Sequence, residues 1–131
     1  MGARLAHLKH RADFLRARAQ GRSCAAKGLV LQMRPHGEAE RGADGLDGPR
    51  VGFTVTRKVG GAVERNRIKR RLRALAEETL GPKALANAVL PQADYVLIGR
   101  KATLGRSFSA LRADLGWALR KLDEDRAENR G

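Results

Sequence analysis

Residues 58–75, KVGGAVERNRIKRRLRAL, decide how the rest of the chain reads. A Gly-Gly turn leads into a helix over about 62–79. Ile68, Leu72, Leu75, Ala76 and Thr79 fall within one sector of it. Asn66, Arg70 and Arg73 point to the opposite side, flanked by Arg67 and Lys69, while Arg65 and Arg71 border the apolar stripe. From Arg57 to Arg73 there are eight basic residues and one acid, Glu64. Like charges three and four residues apart on a helix repel, and a merely solvated face would intersperse Glu. Arginine also outnumbers lysine here, and its planar fork suits phosphate oxygens. Such a helix wants a polyanion outside the chain.

The flanks supply a sheet. Residues 50–57, RVGFTVTR, alternate, with Val51, Phe53 and Val55 on one face and Gly52, Thr54 and Thr56 on the other. Residues 28–34 read as another strand. Between these two, residues 35–49 are acidic and punctuated by Gly and Pro, so the two strands are expected to pair antiparallel around a flexible loop. Residues 94–100 form a nearly unbroken apolar run, as in a central buried strand. A last helix over 107–122 buries Leu111, Leu115, Ala118, Leu119 and Leu122, with Ser107 or Ser109 as its cap. A first helix over 5–19 carries a stripe of Leu5, Leu8, Ala12 and Leu15. A second stripe, His7, Arg11, Phe14 and Arg18, lies away from it and sets Phe14 among cations. Residues 81–93 are a connection, against which Trp117 is expected to pack. The order α-β-β-α-β-α, with room for one more short strand, predicts an α+β sandwich with helices packed on one sheet. It forms a single domain, 1–131, with a flexible acidic loop at 36–49 and a flexible acidic tail at 123–131.

The chain of 131 residues carries a formal net charge of +13. Eight of its 14 acids lie in the loop and tail, leaving 24 basic residues against 6 acids elsewhere. This balance points to RNA, DNA or an acidic membrane surface. The helices lack the aromatic-rich apolar face of a membrane-surface helix, and no apolar run reaches membrane-spanning length. The N-terminus has no apolar signal region. One cysteine, Cys24, permits neither an intrachain disulfide nor a thiolate cluster, and it reads as a small filler. A reducing cytoplasm is the expected location. His7 and His10 read as solvated residues of the first helix, and His36 as part of the acidic loop. Asp13 and Asp94 sit at element ends, where capping or salt bridging is ordinary. No constellation for phosphodiester hydrolysis is apparent, and no catalytic or metal-ligating residue is assigned.

The central stretch resembles the signature of the bacterial ribonuclease P protein component, with Lys58, Gly60, Ala62, Val63, Arg65, Asn66, Arg67, Lys69, Arg70 and Arg73 in register. The resemblance extends through RVGFTVTRK before it, DYVLIGRK after it, and RADFLRARAQGRS near the N-terminus. It implies an α/β sandwich with a left-handed β-α-β crossover around the basic helix. It also implies a role as the protein subunit of ribonuclease P. Such a subunit binds the catalytic RNA and the 5′ leader of precursor tRNA, while the RNA supplies the active site and holds the Mg2+. No obligate protein partner is evident.

Carried over residue by residue, the resemblance assigns Arg65, Asn66, Arg67, Lys69, Arg70 and Arg73 to the RNA subunit. It assigns Phe14, Arg18, Thr54, Thr56, Arg57, Lys58, Arg100 and Lys101 to the leader. Two departures bear on stacking: Arg18 stands where many members have a second aromatic, and Gln32 where many have Tyr. The competing classes are a ribosomal-type or generic structured-RNA-binding protein, which shares the charge but does not predict the ordered motif, and a protein-only nuclease, which the lack of an acidic metal cluster disfavours.

Overall fold

The computed structural model describes residues 6–37, 49–80 and 93–128. The apolar run DYVLIG has no polar face to offer water and lies in the middle of the sheet. It belongs to β5 (Ala93–Gly99), which pairs antiparallel with β3 (Leu29–Pro35) and parallel with β4 (Arg50–Thr54). β1 (Ala6–His7) adds to the outer edge of β4, and β2 (Arg22–Ala25) to that of β3. The five-stranded sheet therefore runs β1-β4-β5-β3-β2. The expected pairing of the two strands around the acidic loop is corrected by this order: β5 stands between β3 and β4. Both strands alternate and could have formed a hairpin. A strand apolar on both faces gains more from the centre than from an edge.

The parallel β4–β5 pair is joined through α2 (Ala62–Leu80), which supplies the expected β-α-β crossover around the basic helix. α2 lays Ile68, Leu72, Leu75 and Ala76 on one face of the sheet, against Leu31, Val51, Tyr95 and Leu97. α4 (Phe108–Glu128) fills the same core with Leu111, Leu115, Ala118 and Leu122. Gly99 lets α2 approach closely, because a Cβ there would run into Ile68 and Val55. Glu64, the one acid of the basic stretch, accepts a hydrogen bond from the Gly61 backbone N–H at 3.1 Å and caps the helix start. Ser107 caps α4, its Oγ accepting from the Ala110 N–H at 3.1 Å.

Arg71, flanked by exposed arginines, has a structural task. Its guanidinium donates to the backbone carbonyls of Thr103 (2.6 Å), Leu104 (2.8 Å) and Arg106 (2.6 Å), around the one-turn helix α3 (Ala102–Gly105). Carbonyls at a helix end have no intrahelical donor, and a planar cation satisfies three at once.

α1 (Arg11–Gln20) covers the other face of the sheet. Here the expected leucine stripe is overturned. His7 lies in β1 and His10 precedes the helix, so neither is helical. Asp13 and Ala17 are the buried residues of α1, Phe14 is half-buried, and Ala12 and Leu15 are exposed. The sheet beneath supplies an arginine for Asp13, and that partner decides which side turns inward. Two further corrections concern the acidic segments. His36 belongs to the buried interior and not to a flexible loop, and α4 continues through Glu128, so residues 123–128 are helical. The remainder of the acidic loop (38–48), the connection (81–92) and residues 129–131 lie outside the described residues, and with them the expected packing of Trp117, which is itself exposed.

Candidate nucleic-acid interface

Three rungs cross β3, β5 and β4 on the face beneath α1. Arg34, Asp94 and Arg50 stand abreast, then Gln32, Val96 and Gly52, then Val30, Ile98 and Thr54. Each rung does something different to the helix above it.

The first rung is a buried ion network. Arg50 donates to both oxygens of Asp94, from Nε at 2.8 Å and Nη2 at 2.9 Å, and Arg34 Nη2 adds a third bond at 3.1 Å. His36 Nε2 donates to Asp94 Oδ1 at 2.7 Å. Burial alone would raise the Asp94 carboxyl, but the hydrogen bonds from Arg50 and His36 and the Arg50 charge outweigh it and hold the group below the usual carboxylate range. Arg50 Nη2 also lies 3.6 Å from Asp13 Oδ1, which ties α1 to the sheet. A His–Asp pair invites a catalytic reading. Here both residues are sealed from solvent and arginines occupy the carboxylate, so the pair is structural.

The second rung sets the depth of the helix. Phe14 lies directly over Gly52, where a Cβ would stand 2.5 Å from the Phe14 Cε1 atom and 3.0 Å from Leu8 Cδ1. Gly52 is the position where absence of a side chain seats the ring on the sheet. Phe14, Leu8, Ala17, Val96 and Ile98 form a small apolar cluster there, separate from the main core.

From the second rung onward, the helix and sheet leave between them an open cleft of about 650 Å3. Four of the residues assigned to the leader meet in its walls: Phe14, Arg18, Thr54 and Thr56. Arg11, Leu15, Gln32, Phe53, Val96 and Ile98 complete it. Among the additions, Arg11 shares the helical spacing of Phe14 and Arg18 and was legible. Val96 and Ile98 were hidden because their strand is apolar on both faces. Arg57 and Lys58 are exposed in a 3-10 turn (Arg57–Val59) that follows β4. Arg100 and Lys101 are exposed after β5 but do not line the cleft, and Arg100 Nη1 donates to the Ala26 carbonyl at 2.7 Å.

On the opposite face of the sheet, α2 presents Asn66, Arg67, Arg70 and Arg73 to solvent, while Arg65 and Lys69 are half-buried. Arg65 Nε donates to the Gly61 carbonyl at 3.4 Å. None of these five cations meets an acid among the described residues. No group of three His, Cys, Asp or Glu side chains suited to a metal gathers among the described residues. No helix there is long and apolar enough to cross a membrane.

A family model described as Ribonuclease P matches residues 3–123. The ribonuclease P protein component of Paramagnetospirillum magneticum is 48% identical over 122 residues, covering 93% of this chain and 86% of the relative. That of Gluconacetobacter diazotrophicus is 46% identical over 121 residues, covering 92% and 94%. Among solved structures, the RNase P protein from Thermotoga maritima superposes with a TM-score of 0.65 at 28% identity, covering 90% of this chain and 96% of that one. The Staphylococcus aureus RNase P protein gives 0.64 at 26%, covering 87% and 92%.

Proposed function

This chain belongs to the ribonuclease P protein family, which acts in tRNA 5′ processing, and on that premise we propose how its two faces divide the work. α2 docks on the catalytic RNA through Asn66, Arg67, Arg70 and Arg73. The cleft between α1 and the sheet receives the single-stranded 5′ leader of precursor tRNA. Phe14 offers a ring for base stacking, Arg18 and Arg11 meet phosphates, and Thr54 and Thr56 supply hydroxyl donors and acceptors. Arg57 and Lys58 extend the cationic track at the end of β4. The single observation that carries this reading is the placement of the cleft and the basic helix on opposite faces of one sheet. A protein so built can hold two polyanions at once and offset the repulsion between them.

Phosphodiester hydrolysis is assigned to the RNA partner. Mg2+ bound by that RNA would stabilise the charge that develops on phosphate oxygens. The protein's own contribution is to bind, align and screen. The buried His36–Asp94 pair cannot reach a substrate, the Glu64 carboxylate serves a helix cap, and those of Glu78 and Asp114 are held in ion pairs. A ribosomal-type reading shares the charge but has no use for a cleft that faces away from the basic helix.

Reconstitution tests the proposal. The purified protein alone should leave precursor tRNA intact. With the RNA that copurifies, it should lower the magnesium needed for 5′ cleavage. Cleavage by RNA-free protein, or copurification of ribosomal RNA alone, would overturn it.

A further inference from the structure

A second groove, of about 550 Å3, runs beside α2 and is lined by Arg67, Arg70, Arg71, Ala74, Leu104 and Phe108. Its cations are of two kinds. Arg71 is locked onto three backbone carbonyls, whereas Arg67 and Arg70 are exposed and no acid pairs with them among the described residues. Its remaining walls are apolar, made by Ala74, Leu104 and the half-buried ring of Phe108. That ring is held in place from outside the groove. Arg112 lies over it, 5.2 Å from the centroid, and is fixed by two hydrogen bonds to Glu78 at 2.9 and 3.0 Å. Neither Arg112 nor Glu78 lines the groove, so Phe108 meets it with surface the guanidinium does not cover.

Phosphate binding alone needs no aromatic wall, and an apolar partner would leave Arg67 and Arg70 facing nothing of opposite charge. Both features are satisfied by one kind of ligand, a nucleotide whose base has left its stack. We propose that this groove takes an unstacked nucleobase of the RNA subunit, with Phe108 as the stacking surface and Arg67 and Arg70 on the flanking phosphates. The proposal rests on the reading of α2 as the RNA-docking helix and adds a base contact to it.

The test uses the full chain and a transcript of the RNA that copurifies with it, with affinities measured over a salt series. Phe108→Leu should weaken binding at least fivefold, equivalent to about 1 kcal/mol, with an unchanged salt slope because no phosphate contact is lost. Phe108→Trp should restore binding, since it keeps a flat aromatic face. The double variant Arg67→Ala, Arg70→Ala should instead flatten the slope by up to about two phosphate equivalents. If Phe108→Leu binds like the wild type while the arginine variant loses slope, the base pocket is wrong and the docking helix stands. If Phe108→Trp is as weak as Phe108→Leu, the ring is packing only, and the proposal fails. Wild-type binding by all three overturns both readings.

Discussion

Asp94 receives a two-point grip from Arg50, 2.8 Å from Nε and 2.9 Å from Nη2, across neighbouring strands 44 residues apart in sequence. The same Arg50 reaches Asp13, so one guanidinium connects the central strand to the helix that roofs the cleft. Removing one partner from a buried ion network leaves the others uncompensated. Asp94→Asn should therefore cost about 3–5 kcal/mol in chemical denaturation. A loss below 1 kcal/mol would show that the network does not hold the sheet and α1 together.

The same carboxylate gives stability a pH dependence. Its folded-state pKa lies below the ordinary value of 3.8, so the unfolded chain takes up its proton more readily than the folded one. The contribution is complete above the ordinary carboxylate range and falls away as pH is lowered through it. Acid unfolding of Asp94→Asn should show a shallower pH dependence than wild type between about pH 5 and pH 2. Identical curves would contradict this.

Tyr95 is the only tyrosine in the chain, so tyrosinate absorbance reads it alone. Burial, reinforced by the charge of Asp123, pushes its phenol up to about 12. The folded state holds this proton more tightly than the unfolded chain. Its stabilising effect is therefore present below pH 10 and is lost as pH rises towards 12. A midpoint near 10, with native circular dichroism retained, would place the phenol in solvent.

Two neighbouring arginines should separate cleanly. Arg71→Ala removes three charge-assisted bonds to carbonyls and should lower stability by about 2 kcal/mol, after allowance for partial exposure. Arg70→Ala should leave the melting temperature within about a degree while weakening RNA binding, since exposed substitutions usually change stability little. Reversed effects would mean that the two side chains have been assigned to the wrong tasks.

Much of this was legible in the sequence. The α2 stripe of Ile68, Leu72, Leu75 and Ala76 declared itself by period, and the central strand by its unbroken apolar run. Where the structure departs from the expected leucine stripe and from the expected loop at His36, the cause is a partner distant in sequence. Asp13 is buried and Leu15 exposed because Arg50 waits beneath α1, which no local period announces. His36 looked like loop because Asp94 is 58 residues away. β2, RSCA, has no apolar alternation to show, and its place at the sheet edge comes from β3. The cleft was half visible: Phe14, Arg18, Thr54 and Thr56 carried the resemblance, but their convergence depends on Gly52 admitting the Phe14 ring.

Gly52 therefore becomes a probe of that convergence. Gly52→Ala places a methyl group against Phe14 and Leu8 and should cost about 1–3 kcal/mol by overpacking. In a holoenzyme that still folds, precursor tRNA should bind more weakly as α1 is lifted. Unchanged stability would mean the ring has room to move aside.

The central claim is that the cleft under α1 holds the leader, and paired affinities test it most directly. Holoenzymes containing wild-type protein or Phe14→Leu are compared for precursor and mature tRNA at fixed salt and magnesium, the leucine keeping an apolar group over Gly52. Stacking is worth about 1–3 kcal/mol per base. The precursor-over-mature preference should therefore shrink about fivefold or more, while mature tRNA binds as before. Equal weakening of both ligands, or an unchanged preference, would contradict the account and move Phe14 out of the leader site.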